Sequence, residues 1–171
     1  LYAKGENDKR PMASTTKIMT ALITLEMAAV NNKIVTITDN MVRVEGSSMG
    51  LVPGNKLSLK SLAAGMLLVS GNDAANSAGI AIGGSTKAFA ELMNKRAKEL
   101  NMTNTNFVTP SGLDDYTDYH YSTARDMALL TQEALKNPTF REICSTPKVE
   151  LQYGNPPYTR WLYNSNKLLK Q

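Results

Sequence analysis

Ser14-Thr15-Thr16-Lys17 stands directly ahead of an apolar repeat. A serine hydroxyl is a poor nucleophile until a base takes its proton. Lysine serves as that base once its amine is neutral. Residues three apart share one face of a helix, so Ser14 and Lys17 can meet. The positive end of a helix dipole disfavours an ammonium and favours a developing oxyanion. Ile18 and Met19 add desolvation, which lowers a lysine pKa further. The same spacing also fits an ordinary helix cap followed by a solvated lysine. Ser145-Thr146-Pro147-Lys148 repeats it, but Pro147 and the lack of a following apolar period make that copy a loop.

A second run, Ser70-Gly71-Asn72, has Leu67-Leu68-Val69 before it and Ala74-Ala75 after it. Polar groups in so apolar a setting are costly unless paired. Ser70 could relay a proton between Lys17 and a leaving group. The Asn72 amide could bind a substrate carbonyl and the lysine amine. A plain glycine connector between two helices explains the run equally well.

The other reactive side chains offer less. His120 is the only histidine and Cys144 the only cysteine, too few for a typical zinc site. The neighbours of Cys144 include no activating base, so it reads as a buried structural thiol. No metal and no cofactor is expected. Lys plus Arg number 19 against 15 Asp plus Glu, and the basic residues are scattered. Lys95-Arg96-Ala97-Lys98, flanked by Glu91 and Glu99, reads as a solvated helix face with i,i+4 pairs. Without interleaved exposed aromatics it argues against nucleic-acid binding. No apolar run approaches the roughly 20 residues of a membrane span, and no secretory signal is present.

These residues need elements to position them. Ile18, Ala21, Leu22, Leu25 and Ala29 mark one buried face of a helix that Ser14 is expected to cap and Asn31-Asn32 to end. Residues 33–38 alternate and are β-branched, which predicts a strand. Val52-Pro53-Gly54-Asn55 is a turn. A second helix opens at Ser58 and reaches about Val69, where Ser70-Gly71-Asn72 interrupts it. Helical composition resumes over 73–82 and stops at Gly83-Gly84. Residues 86–100 form a third clear helix with Asn101 as its left-handed cap. The polar stretch 103–121 is long enough to be functional or mobile. Ser122 to Asp126 caps a helix reaching about Leu135, which Asn137-Pro138 ends. Strands are predicted at 149–153 and 159–162, with Asn155-Pro156-Pro157 between them. Leu1 to Ala3 reads as a strand remnant. The order of elements predicts an α+β fold, one domain over residues 1–171, with an incomplete antiparallel sheet.

The two runs, with Pro11-Met12-Ala13 and Ile18-Met19-Thr20 around the first and Asp73-Ala74-Ala75 after the second, resemble the first two motifs of the low-molecular-mass penicillin-binding proteins, the serine D-Ala-D-Ala carboxypeptidases. The likeness continues through Phe89 to Asn94, Thr103 to Phe107, Ser111-Gly112-Leu113-Asp114, Tyr121 to Ala128 and Asn164 to Leu169, in the family's order. The resemblance implies the helical part of a DD-peptidase/β-lactamase-like fold. It also implies that Ser14 attacks the penultimate D-Ala carbonyl of a peptidoglycan stem peptide ending in D-Ala-D-Ala, with Lys17 as general base. Ser70 would pass the proton to the departing D-Ala, Asn72 would position the substrate, and the Ser14 backbone N–H would contribute to the oxyanion hole. β-Lactams would enter the same path as inhibitors and stall there. The family's third motif, Lys-Thr-Gly, is absent from the 171 residues. The chain is therefore expected to be a truncated catalytic domain, inactive alone, from an active parent protein working outside the cytoplasmic membrane.

Two rivals remain. A class A β-lactamase shares Ser-x-x-Lys, but it would also need a Glu-x-x-Leu-Asn run, which is absent, and Asp where Gly71 stands. A non-catalytic peptidoglycan-binding module is supported only by the missing third motif.

Overall fold

The computed structural model describes residues 3–113, 118–154 and 156–170. The leading strand remnant includes Leu1 and Tyr2, which lie outside the described residues. In chain order the elements are β1 (Arg10–Pro11), a 3-10 turn (Ala13–Thr16), α1 (Lys17–Val30), β2 (Ile34–Thr36), α2 (Asp39–Val42), β3 (Lys56–Ser58), α3 (Leu59–Val69), α4 (Asn72–Gly83) and α5 (Thr86–Glu99). Then follow β4 (Tyr121–Ser122), α6 (Ala124–Ala134), α7 (Pro138–Ser145), β5 (Lys148–Gly154), β6 (Pro157–Tyr163) and a closing 3-10 turn (Lys167–Lys170). The fold is α+β, as the sequence predicts.

α1 is the central element because two of its faces are apolar. Ala21 and Leu25 belong to a core with Leu62, Leu68 and Ala75 of α3 and α4, the β2–β3 pair, and Phe140 and Ile143 of α7. Met19, Leu22 and Ile23 belong to a second core with Phe89, Met93, Phe107 and Leu130. Emptying such a site is expensive: Phe89→Ala costs about 3–5 kcal/mol. Burial on both sides fixes the axial position of α1, and with it the position of Lys17 at its first turn.

Side-chain caps set the other helix starts. Ser58 accepts from the Ser61 N–H, Ser85 from Ala88 and Thr123 from Asp126. Asn137 accepts from both Thr139 and Phe140. Asn137-Pro138, read from sequence as a terminator, is therefore the cap and first residue of α7, since Pro suits a position whose N–H has no helical partner. β3 was also missed and pairs with β2, Val35 opposite Leu57.

Among the described residues the strands form three separate two-stranded antiparallel pairs: β1–β4, β2–β3 and β5–β6. The strand pieces at the front and back of the chain belong to different pairs. In the β5–β6 hairpin Leu151 stands opposite Arg160 and Tyr153 opposite Tyr158. A lone hairpin is marginal in water. This one is held by burying Tyr153 and Leu162 in the α3 core. In the run 95–98 Lys95 and Lys98 are exposed, as expected of a solvated helix face, but Arg96 departs from it. Arg96 is largely buried and bridges Glu26 of α1, Glu99 and Glu133 of α6, so it ties three helices together. No helix of the described residues is long and apolar enough to cross a membrane.

Candidate active site

Ser14 lies within the 3-10 turn rather than at a helix cap. Thr16 occupies the N-cap position of α1, and no cap side chain bonds the first turn. The Ser14 hydroxyl instead accepts from Lys17 Nζ at 3.1 Å. Lys17 Nζ also donates to the Ser111 carbonyl oxygen at 2.8 Å. Lys17 is 2% exposed while Ser14 is open to solvent. Burial lowers the lysine pKa from its ordinary 10.5 to about 8. A neutral amine is thus within reach near physiological pH, beside an accessible hydroxyl.

The turn is held from behind by residues 108–113 and 120–122. β1 pairs with β4, Arg10 opposite Ser122 and Pro11 opposite Tyr121. Thr20 Oγ1 donates to the Pro110 carbonyl at 2.7 Å. Gly112 comes so close that a Cβ there would lie 1.9 Å from the Ala13 carbonyl oxygen, and its φ is +88°. His120 is buried, with Nε2 2.8 Å from Thr16 Oγ1. Its Nδ1 accepts from the Val108 N–H at 3.0 Å. An accepting Nδ1 places the ring hydrogen on Nε2, so neutral His120 donates to Thr16. Ala13, just before the serine, has φ +45°. A non-glycine residue in that region stores strain, and such strain persists only where the surroundings over-determine the backbone.

The other run forms a second centre. Ser70 ends α3 in the left-handed conformation, φ +58°, and Asn72 opens α4. Asn72 Nδ2 donates to the Glu45 carbonyl at 2.6 Å, and its backbone N–H to the Ser47 carbonyl at 2.7 Å. Buried Asp73 accepts from Ser48 Oγ, from the N–H groups of Met49 and Leu51, and from Ala74. Among the described residues no hydrogen bond joins Ser70 or Asn72 to Ser14 or Lys17. The structure brings the four residues together as two pairs, each beside the N-terminal end of a helix.

Thr16, Ser111, His120 and Asp73 are the site residues that sequence reasoning missed. Each has a partner 22 to 104 positions away, and no local pattern announces these contacts. Cys144 is half-buried and burial pushes its thiol pKa up, in keeping with a structural role. Ser145 ends a helix instead of preceding one, so Ser145-Thr146-Pro147-Lys148 lacks the geometry of Ser14. No three His, Cys, Asp or Glu side chains among the described residues converge on a metal-sized site.

A serine bonded to a buried lysine of lowered pKa, at the start of a two-sided central helix, is the arrangement that Ser–Lys acyl-transfer chemistry requires. The chain belongs to the Peptidase S11 family, described as D-alanyl-D-alanine carboxypeptidase, which matches residues 1–171. It is 37% identical to the D-alanyl-D-alanine carboxypeptidase DacF of Bacillus subtilis over 99% of this chain and 44% of DacF. A D-alanyl-D-alanine carboxypeptidase structure from Mycobacterium tuberculosis superposes with a TM-score of 0.91 at 32% identity, covering 100% of this chain and 63% of that one. A Streptomyces DD-transpeptidase structure gives 0.88 at 33%, covering 99% and 70%. The chain spans about half the length of the curated relatives it matches, 44% and 57% for two of them.

Proposed function

We propose that the protein is a penicillin-sensitive serine carboxypeptidase that removes the terminal D-Ala from peptidoglycan stem peptides. The hydrogen bond between Lys17 Nζ and Ser14 Oγ, on a lysine whose pKa burial lowers to about 8, carries this reading. Neutral Lys17 takes the Ser14 proton as Oγ attacks the carbonyl of the penultimate D-Ala. The oxyanion that forms is stabilised by the Ser14 backbone N–H at the positive end of α1. Ser70 passes the proton to the departing D-Ala nitrogen, and the C–N bond breaks. Asn72 holds the acyl donor's amide. Water then hydrolyses the ester and restores Ser14. A β-lactam opens on the same serine, but its leaving group stays tethered and the adduct persists.

The work is placed on the outer side of the cytoplasmic membrane, where such stem peptides are found. The 171 residues alone are expected to turn over little substrate, because they contain no Lys-Thr-Gly run to hold the terminal carboxylate. The test is mass spectrometry of the full-length protein after exposure to a penicillin, together with D-Ala release from a peptide ending in D-Ala-D-Ala. One stable adduct on Ser14 and release of D-Ala are expected. Release that survives Ser14→Ala would sink the reading, and an adduct cleared within seconds would favour a β-lactamase.

A further inference from the structure

Beyond Ser70 lies a second recognition feature that the acyl-transfer chemistry does not use. The α3–α4 break is bordered by an open cavity of about 420 Å³, lined by Val69, Ser48 and Met49 on one side and Tyr153, Tyr158 and Arg160 on the other. The Arg160 guanidinium carbon sits 4.7 Å from the ring centres of both Tyr153 and Tyr158. Stacking on two rings fixes the plane of the guanidinium and lowers the entropy it loses on binding. Its Nη1 lies over Gly50, where a Cβ would come within 2.6 Å of it. Gly50, at φ +78°, thus makes room for the cation.

The charge is not matched. Nη2 donates to the Tyr158 hydroxyl, whereas Nε is buried without a hydrogen-bond partner. None of the ion pairs among the described residues includes Arg160. Asp73, the buried acid behind the 48–51 loop, is already committed to four donors of its own surroundings. Tyr153, whose hydroxyl donates to the Met49 carbonyl, locks the hairpin that carries Arg160 onto that same loop. A fixed guanidinium in an open cavity, with no carboxylate paired to it among the described residues, is built to receive a planar anion, with carboxylate the best geometric match.

We propose that Arg160 is a specificity-determining residue that binds a carboxylate of the stem peptide on the amino-terminal side of the scissile bond. The inference rests on the carboxypeptidase reading above. The cavity abuts Val69, next to Ser70, so a peptide crossing the Ser70-Gly71-Asn72 break can set an acidic residue against Arg160. Ser48 and Trp161 also line the cavity.

The test compares two synthetic peptides ending in D-Ala-D-Ala: one with a free carboxylate on its second residue, the other with that group amidated. The readout is the ratio of their kcat/KM values on the full-length protein. We expect the wild-type ratio to favour the free carboxylate about five- to tenfold, the size of a partly solvated charge-assisted pair. Arg160→Gln should bring the ratio to about one, and Arg160→Lys should restore part of it. A wild-type ratio near one overturns the proposal. So does a ratio that Arg160→Gln leaves unchanged, even if both rates fall, because a purely structural bolt lowers both alike. Wild-type protein that neither takes a penicillin adduct on Ser14 nor releases D-Ala defeats the carboxypeptidase reading itself, and this subsite with it.

Discussion

The two polar centres of the molecule are built in opposite ways. At the Ser14 end, side chains reach across the chain to hold a strained turn: His120 on Thr16, Thr20 on Pro110, Lys17 on Ser111. The proposed reacting groups are part of that mesh, since Lys17 bonds both Ser14 and the Ser111 carbonyl. At the Ser70 end, one carboxylate gathers backbone N–H groups of the 48–51 loop, and the proposed functional groups sit beside it. The first centre is tuned, because burial lowers the pKa of Lys17, the proposed base. The second is a scaffold, because Asp73 works through loop shape. Substitutions should therefore separate chemistry from stability at one end and fuse them at the other.

The largest expected effect is on chemistry. Lys17→Met keeps the length and apolar stem of the side chain and removes the amine. Acylation of Ser14 by a penicillin should fall by about a thousandfold or more, within the range for losing a general base. The fold should gain stability at neutral pH, because an ammonium no longer has to be buried. Stopped-flow acylation and urea unfolding on the same variant check both halves. A variant that loses stability along with rate would place Lys17 among the structural groups.

At the other end Asp73→Ala should cost about 4 kcal/mol, since it strands several donors around a buried site at once. Asp73→Asn, which keeps the shape, should cost about half of that. Because the loop beside Asn72 depends on this carboxylate, acylation should fall together with the midpoint of unfolding. Full stability in Asp73→Ala would remove the contrast between the two centres.

A pH titration tests the tuned end without a substitution. The folded pKa of Lys17, about 8, lies below its ordinary 10.5. Between these values the unfolded chain keeps a proton that the folded chain has released. Folding stability therefore rises with pH across the window from 8 to 10.5, by about 3 kcal/mol. Below pH 8 both states are protonated and this contribution is flat. Acylation should climb with pH through the same value of about 8. Lys17→Met should flatten the stability rise, as seen by chemical denaturation at several pH values. A rise of the same size in that variant would assign it to other groups.

What the sequence disclosed follows the same division. The contact between Ser14 and Lys17 is legible because its spacing is local. The main helices are legible because burial imposes a period on them. α7 was lost because Asn137-Pro138 can end one helix or begin the next, and only the partners of the Asn137 side chain decide. Ser14 was misread as a cap because a 3-10 turn and an N-cap use the same residue types. The mesh behind it was invisible for a topological reason. Thr16 and His120 are 104 positions apart, and nothing near either residue encodes the other. Of the stretch 103–121, which its length marked as functional or mobile, residues 108–113 and His120 form the wall behind the Ser14 turn.

His120 gives the smallest effect and the sharpest one. Removing the ring in His120→Ala leaves Thr16 Oγ1 and the Val108 N–H without their buried partner, a loss of about 2 kcal/mol. His120→Gln can still donate to Thr16 but cannot satisfy Val108 with ring geometry, so it should lose about 1 kcal/mol. If the ring acts only as filling, the two variants should differ in stability alone. If it sets the Ser14–Lys17 pair through Thr16, His120→Ala should also slow acylation about tenfold and shift its pH midpoint, while His120→Gln recovers most of the rate. Thr16→Val, which deletes the acceptor, should then add little to the loss in His120→Ala, because both changes remove one interaction. Rate losses that simply add would separate Thr16 from His120 and leave Ala13, with its left-handed strain, as the main constraint on the turn.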